Sequence, residues 1–192
     1  MTLAVTAVSG QLGGEIARKL AASARQEPVI GLARTPQNPQ GLGIEIRPGD
    51  YDKPDQLTAS LAGVDALVLV AGMAPPDERT RQHRIVIAAA KAAGVRKIVY
   101  TSIQGPDEGT SFSPVVQSNR QTEADVRASG FTWAIGRNGL YIEPDVAYID
   151  SYRTKGEITN SAGDGRCGYT TRAELGHAYA ALLTDPIATA RQ

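Results

Sequence analysis

The sequence predicts an α/β fold: a doubly wound parallel sheet held between two helical layers, in an α/β/α sandwich. Three observations carry that prediction. Strand-like and helix-like runs alternate along the chain. The strand-like runs are continuously apolar rather than alternating, as strands covered on both faces are. A cluster of glycines, Gly10, Gly13 and Gly14, falls where the first strand meets the first helix. Right-handed crossovers then distribute the helices over both faces.

Taken in order, residues 3–8 read as a buried strand and residues 15–23 as the helix after it. Residues 28–34 form a second strand and residues 43–50 a third, weaker one. A short helix follows: Asp52 suits its N-cap, Pro54 its first turn and Gly63 its end. Residues 65–72 are the clearest buried strand, and residues 77–94 a long helix closed by Gly94. A fifth strand at residues 96–102, a helix at 113–130 and a sixth strand at 131–139 continue the alternation. Thr171 and Glu174 stand at capping-box spacing before a last helix. The stretches 35–42 and 104–114, rich in Pro, Gly and Ser, read as surface loops rather than boundaries. Residues 1–192 are therefore expected to form one domain.

Composition narrows the function. Lys and Arg number 20, as do Asp and Glu, so no basic excess points to nucleic acid. The single cysteine, Cys167, excludes an internal disulfide and a zinc cluster. His83 sits among charges and is expected on a solvated helix face; His177 is expected to be peripheral; neither has ligand-spaced partners, so no metal is predicted. Trp133, within a strand, reads as core. Without a leader or a membrane-length apolar run, the expectation is a cytoplasmic protein that works on a small molecule, with no membrane partner and room for homo-oligomers.

The glycine junction suggests what it binds. A helix N-terminus after a strand presents backbone N–H groups and a favourable dipole to a phosphate. A side chain at Gly10 would block that approach, and Gly13 lets the helix lie close to the sheet. The spacing Ala7-x-x-Gly10-x-x-Gly13 is that of a dinucleotide-binding turn with its first glycine replaced. If the backbone at Ala7 needs positive φ, the alanine costs on the order of 1 kcal/mol and leaves a slightly altered turn. Arg34 ends the second strand about 20 residues on, where an acid would bond a ribose hydroxyl. An arginine there pairs instead with a 2′-phosphate, so NADP(H) is favoured over NAD(H). The expected cofactor set is Thr6, Ser9, Gly10, Gln11, Leu12, Gly13, Arg34, Asp50, Tyr51, Ala71, Gly72, Met73 and Ser102, with Asp50 and Tyr51 flanking the adenine.

Four segments together, VTAVSGQLG, VRKIVYTS, QTEADVRASGFTWAIGRNGLYIE and GDGRCGYTTRAELGHAYAALL, resemble the NmrA-like atypical short-chain dehydrogenase/reductases. The resemblance is to the NADPH:quinone oxidoreductase branch, where an Arg-Asn-Gly-aromatic-Tyr-x-Glu segment recurs. Here it runs from Arg137 to Glu143, with Leu140 at the aromatic position. It implies a Rossmann-like fold and reduction of quinones. Typical members carry glycine at the position of Ala7 and continue past the length of this chain, implying a short or truncated substrate region.

The chemistry is constrained by what is missing. Ordinary short-chain dehydrogenases place a lysine four residues after a tyrosine to ease proton transfer to an alcohol oxygen. None of the seven tyrosines has that partner, which disfavours alcohol dehydrogenation and sugar-nucleotide epimerisation. Quinone reduction tolerates the loss, because the hydroquinone anion spreads its charge over a ring and needs positioning more than a dedicated acid. Tyr141 and Asn138, past the sixth strand, and Ser102, after the fifth, are the candidate catalytic residues at the carboxyl edge of the sheet. A rival reading is a non-catalytic NADP(H) sensor that binds a partner protein; a third is a reductase of enones or dyes.

Overall fold

The computed structural model describes residues 1–23, 27–37, 41–105, 113–158, 163–166 and 168–185. Six parallel strands form one sheet: β1 (Leu3–Val5), β2 (Val29–Ala33), β3 (Glu45–Pro48), β4 (Ala66–Val70), β5 (Lys97–Ile103) and β6 (Thr132–Asn138). Their spatial order is β3-β2-β1-β4-β5-β6, so the winding reverses between β1 and β4. The helices are α1 (Gln11–Ala21), α2 (Pro54–Ser60), α3 (Pro76–Ala92), α4 (Pro114–Arg127), α5 (Glu143–Ala147), α6 (Ile149–Lys155) and α7 (Arg172–Thr184). Two short strands, β7 (Leu140–Tyr141) and β8 (Tyr169–Thr170), pair in parallel beside the main sheet.

The apolar runs split by alternation into two cores. Ala4, Leu67, Leu69, Ile98 and Tyr100 face α2, α3 and α4, where Leu57, Leu61, Val86, Ala90 and Val126 meet them. Leu3, Val5, Ala66, Val68 and Val99 face α1 and α7, packing on Ile16, Ala17, Leu20, Tyr179 and Leu183. Successive side chains of one strand therefore enter opposite cores, which is why the strands carry no polar face. Helices α1 and α7 approach closely at Gly176, where a Cβ would lie 3.3 Å from Glu15.

The predicted strands and long helices are all present, with the expected glycine exits: Gly63, Gly94 and Gly130 take positive φ beyond their helices. Thr171 caps α7 with a complete capping box. Asp52 does not cap α2. The capping position falls to Lys53, without a side-chain bond, because Asp52 is drawn to Arg81 and Gln82 of α3. The elements β7, β8, α5 and α6 were not expected. The two helices bury no residue and the strands are two residues long, so no apolar periodicity announces them.

Candidate functional site

The end of β1 sets the glycine turn. Ala7 adopts φ +52°, the only non-glycine residue with positive φ among the described residues. Its carbonyl accepts from Gly10 N at 2.9 Å, and Val8 N reaches Leu32 O at 3.1 Å, which bends the chain out of the strand and into α1. A Cβ on Gly13 would fall 2.4 Å from Ala7 O, so helix and turn touch where only glycine fits. Gly10 is the N-cap of α1 in an extended conformation, no side chain caps the helix, and its first turn holds no acid. Ser9, Gly10 and Gln11 are exposed while Leu12 packs inward. The amides and the positive end of the dipole are thus open to an anion, and these residues fit a pyrophosphate. Arg34 is exposed just past β2 and has no hydrogen-bond partner among the described residues. Its charge helps depress the Asp52 carboxyl, behind the bonds from Arg81 and Gln82.

Two expected cofactor contacts turn inward instead. Tyr51 is buried, its hydroxyl bonding to Thr6 Oγ1 and to Val70 O at 2.8 Å, so its ring does not flank an adenine. Thr6 is fully buried and its Oγ1 also accepts from Val70 N at 2.9 Å. Thr6 and Tyr51 fasten the ends of β1 and β4 together at the point where the winding reverses. Asp50 remains half-buried beside Lys53 at 3.8 Å.

The loop after β4 is held from below. Ala71 N donates to Thr101 Oγ1 at 2.9 Å, and Gly72 N donates to His83 Nε2 at 3.0 Å. His83 is completely buried rather than solvated. With Nε2 accepting, Nδ1 carries the proton and donates to Thr122 Oγ1 at 2.9 Å, and Thr122 donates onward to Ser118 O at 3.0 Å. Burial, reinforced by the nearby Arg79 charge, pushes the imidazole down to about 3 and keeps it neutral. The stripe Arg79, His83, Val86, Ile87 and Ala90 on α3 has helical periodicity, a signal that the surrounding charges masked. Met73, next along the loop, is 94% exposed.

Where a Tyr/Lys pair would stand, the chain builds an ion cluster. Glu123 of α4 is fully buried and accepts from Ser102 Oγ at 2.6 Å, Arg120 Nη1 at 2.6 Å, Arg127 Nη2 at 3.2 Å and Arg137 Nη2 at 2.7 Å. Burial alone would raise its carboxyl, but the bonds from Arg137 and Ser102 and the charges of Arg120 and Arg137 outweigh it and hold it at about 2. Ser102 is thus fully buried with its hydroxyl spent on Glu123, a fastening of the cluster and not the open catalytic or cofactor contact expected from the sequence. Arg120 also donates to Ile103 O at 3.0 Å and Gly105 O at 2.8 Å, which fixes the backbone leaving β5.

Past β6 the structure brings Asn138 and Tyr141 together. Asn138 Nδ2 donates to Tyr141 Oη at 3.2 Å, and Asn138 Oδ1 accepts from Tyr179 Oη at 2.6 Å. The pairing of β7 with β8 sets Tyr141 against Thr170, one residue before the cap of α7. The Arg172 guanidinium then lies over the Tyr141 ring, 4.9 Å from its centre. Glu143 accepts from Arg172 N at 2.7 Å and closes the corner, and that bond holds its carboxyl below the usual range. Glu143 ends the segment that runs from Arg137, yet its partner Arg172 lies 29 residues away and only the fold shows the contact. Cys167 lies outside the described residues.

A groove between α1 and α7, lined by Lys19, Leu20, His177 and Thr184, lies at the other end of these helices, away from the glycine turn. Among the described residues no His, Cys, Asp and Glu cluster suits a metal ion, and no helix is long and apolar enough to cross a membrane.

Residues 8–186 match the NAD(P)H-binding family. The chain is 34% identical to quinone oxidoreductase 2 of Escherichia coli K12 over 186 residues, 95% of this chain and 64% of that protein. The triphenylmethane reductase of Citrobacter sp., crystallised with NADP(H), superposes with a TM-score of 0.91 at 31% identity, covering 98% of this chain and 67% of that one. The NADPH-dependent quinone oxidoreductase of Escherichia coli, crystallised with NADPH, gives a TM-score of 0.87 at 34% identity, covering 96% and 65%. The chain thus spans a little under two thirds of the quinone oxidoreductase it matches.

Proposed function

The chain belongs to the NAD(P)H-binding family, and from that premise we propose that it is an NADPH-dependent reductase delivering hydride to quinones or similar electron-poor small molecules. One observation carries the reading: the uncapped glycine turn after β1 and the Tyr141 hydroxyl after β6 share the carboxyl edge of one parallel sheet. Three strand spacings separate β1 from β6, about 14 Å, a span an extended dinucleotide bridges. The reductase activities named for the similar proteins support the same reading.

Gly10, Gly13 and the backbone of Ser9, Gln11 and Leu12 would hold the pyrophosphate, Arg34 the 2′-phosphate, and the backbone of Ala71, Gly72 and Met73 the nicotinamide half. The cofactor supplies hydride when bound. The chain's own part is to hold the β4 loop rigid through His83 and to place the Tyr141 hydroxyl where a reduced acceptor needs a proton. Glu123, locked among arginines, holds no proton to give.

The purified protein mixed with NADPH and a panel of quinones should oxidise the nucleotide only when an acceptor is present, and faster than it oxidises NADH. No acceptor-dependent oxidation across the panel rejects the proposal. Nucleotide binding without turnover, tighter for one redox form, would favour a sensor instead.

A further inference from the structure

We infer that Tyr179 is a positioning residue: by donating to Asn138 Oδ1 it fixes that carboxamide with its N–H toward Tyr141, leaving the Tyr141 proton for the reduced acceptor. The inference rests on the reductase reading and assigns a role to a residue of α7, far from Tyr141 in sequence.

Tyr179 is 1% exposed, and burial pushes its phenol well above the usual range, so it stays protonated and acts as a donor. Its single proton goes to the nearer oxygen, Asn138 Oδ1 at 2.6 Å, with the Gly136 carbonyl the more distant acceptor at 2.9 Å. Gly136 makes room for it: a Cβ there would fall 2.4 Å from the Tyr179 oxygen. With Oδ1 committed to Tyr179, the other limb of the amide is Nδ2, which faces Tyr141 Oη at 3.2 Å. An amide NH₂ only donates, so the Tyr141 oxygen accepts, and the single phenolic proton must point elsewhere. A reversed amide would present Oδ1 to Tyr141 and draw that proton into the protein.

The chemistry balances. Hydride brings two electrons into the quinone and leaves one quinone oxygen as an anion. The O–H bond of Tyr141 breaks, its proton bonds to that oxygen, and the phenolate recovers a proton from water. Tyr179 itself exchanges nothing.

The test is a double-mutant cycle with a spectroscopic arm. Tyr179→Phe should lower kcat for quinones on the order of tenfold, a fraction of what general-acid help supplies, with the NADPH KM unchanged. In a Tyr141→Phe background it should lower kcat no further. Losses that multiply in the double variant would overturn the inference. Asn138→Asp can only accept, so it should turn the Tyr141 proton inward and reproduce the loss, which keeps the idea testable if Tyr179→Phe folds poorly; unchanged kcat there would also overturn it. In cofactor-free protein with ¹³C-labelled tyrosine, the Tyr141 Cζ resonance should shift in Tyr179→Phe, and an unmoved resonance defeats the relay. A protein that reduces no quinone rejects the reductase reading, while the resonance still decides the hydrogen-bond geometry.

Discussion

A Cβ placed on Gly13 would lie 2.4 Å from the carbonyl oxygen of Ala7. That contact ties the two ends of the turn together. Ala7 keeps the left-handed conformation a glycine would adopt, and Gly13 cannot change without moving the Ala7 carbonyl that closes the turn.

Ala7→Gly should therefore stabilise the protein by about 1 kcal/mol, because the strain of positive φ disappears. For a chain of this size the unfolding midpoint should rise by roughly 2–4 °C. A lower midpoint would mean that the methyl group contributes packing that outweighs the strain.

Gly13→Ala should do the opposite. The added carbon meets backbone at 2.4 Å and 2.8 Å from the Ala7 carbonyl and 2.9 Å from the Thr6 oxygen, and nothing flexible can yield. Calorimetry should show both a lower melting temperature and loss of NADPH binding.

Arg34→Ala tests the choice of nucleotide. Losing a charge-assisted contact to the 2′-phosphate costs about 2 kcal/mol, so the Kd for NADPH should rise on the order of thirtyfold. Binding of NADH should be unchanged; an equal loss for both nucleotides would remove the assignment.

His83 gives the protein an acid-sensitive latch. Its folded value of about 3 lies below the ordinary imidazole value of 6.5. Between these values the unfolded chain takes up a proton that the folded chain refuses. Stability contributed by His83 is thus complete above about pH 6.5 and falls with acid by up to about 1.4 kcal/mol per pH unit. Denaturant titrations between roughly pH 6.5 and 5, above the carboxylate range, should show this slope in the native protein and lose it in His83→Gln.

Glu123→Gln should destabilise by about 3–5 kcal/mol, since it leaves Arg120 and Arg137 facing a buried neutral group. In the native protein Glu123 contributes fully above about pH 4.5, and that contribution disappears as pH falls through about 2. A Glu123→Gln variant as stable as the native protein would show that the arginines find other partners at no cost.

The sequence by itself determined the sheet, its parallel strands, the glycine turn and the arginine beyond β2. These follow from local rules: continuous apolar runs, helix-ending glycines, and a turn whose close contacts admit no side chain. Tertiary structure alone decided which polar groups the core consumes. Tyr51, Thr6 and Ser102 sit at the carboxyl edge as expected, yet turn inward, because buried hydroxyls must find partners contributed by other strands and helices. His83 looked solvated among charges and proved to be the pin beneath Gly72. The meeting of the Asn138–Tyr141 pair with Tyr179 and Arg172 was likewise invisible along the chain: both partners come from α7, and only packing brings residues that distant in sequence into contact.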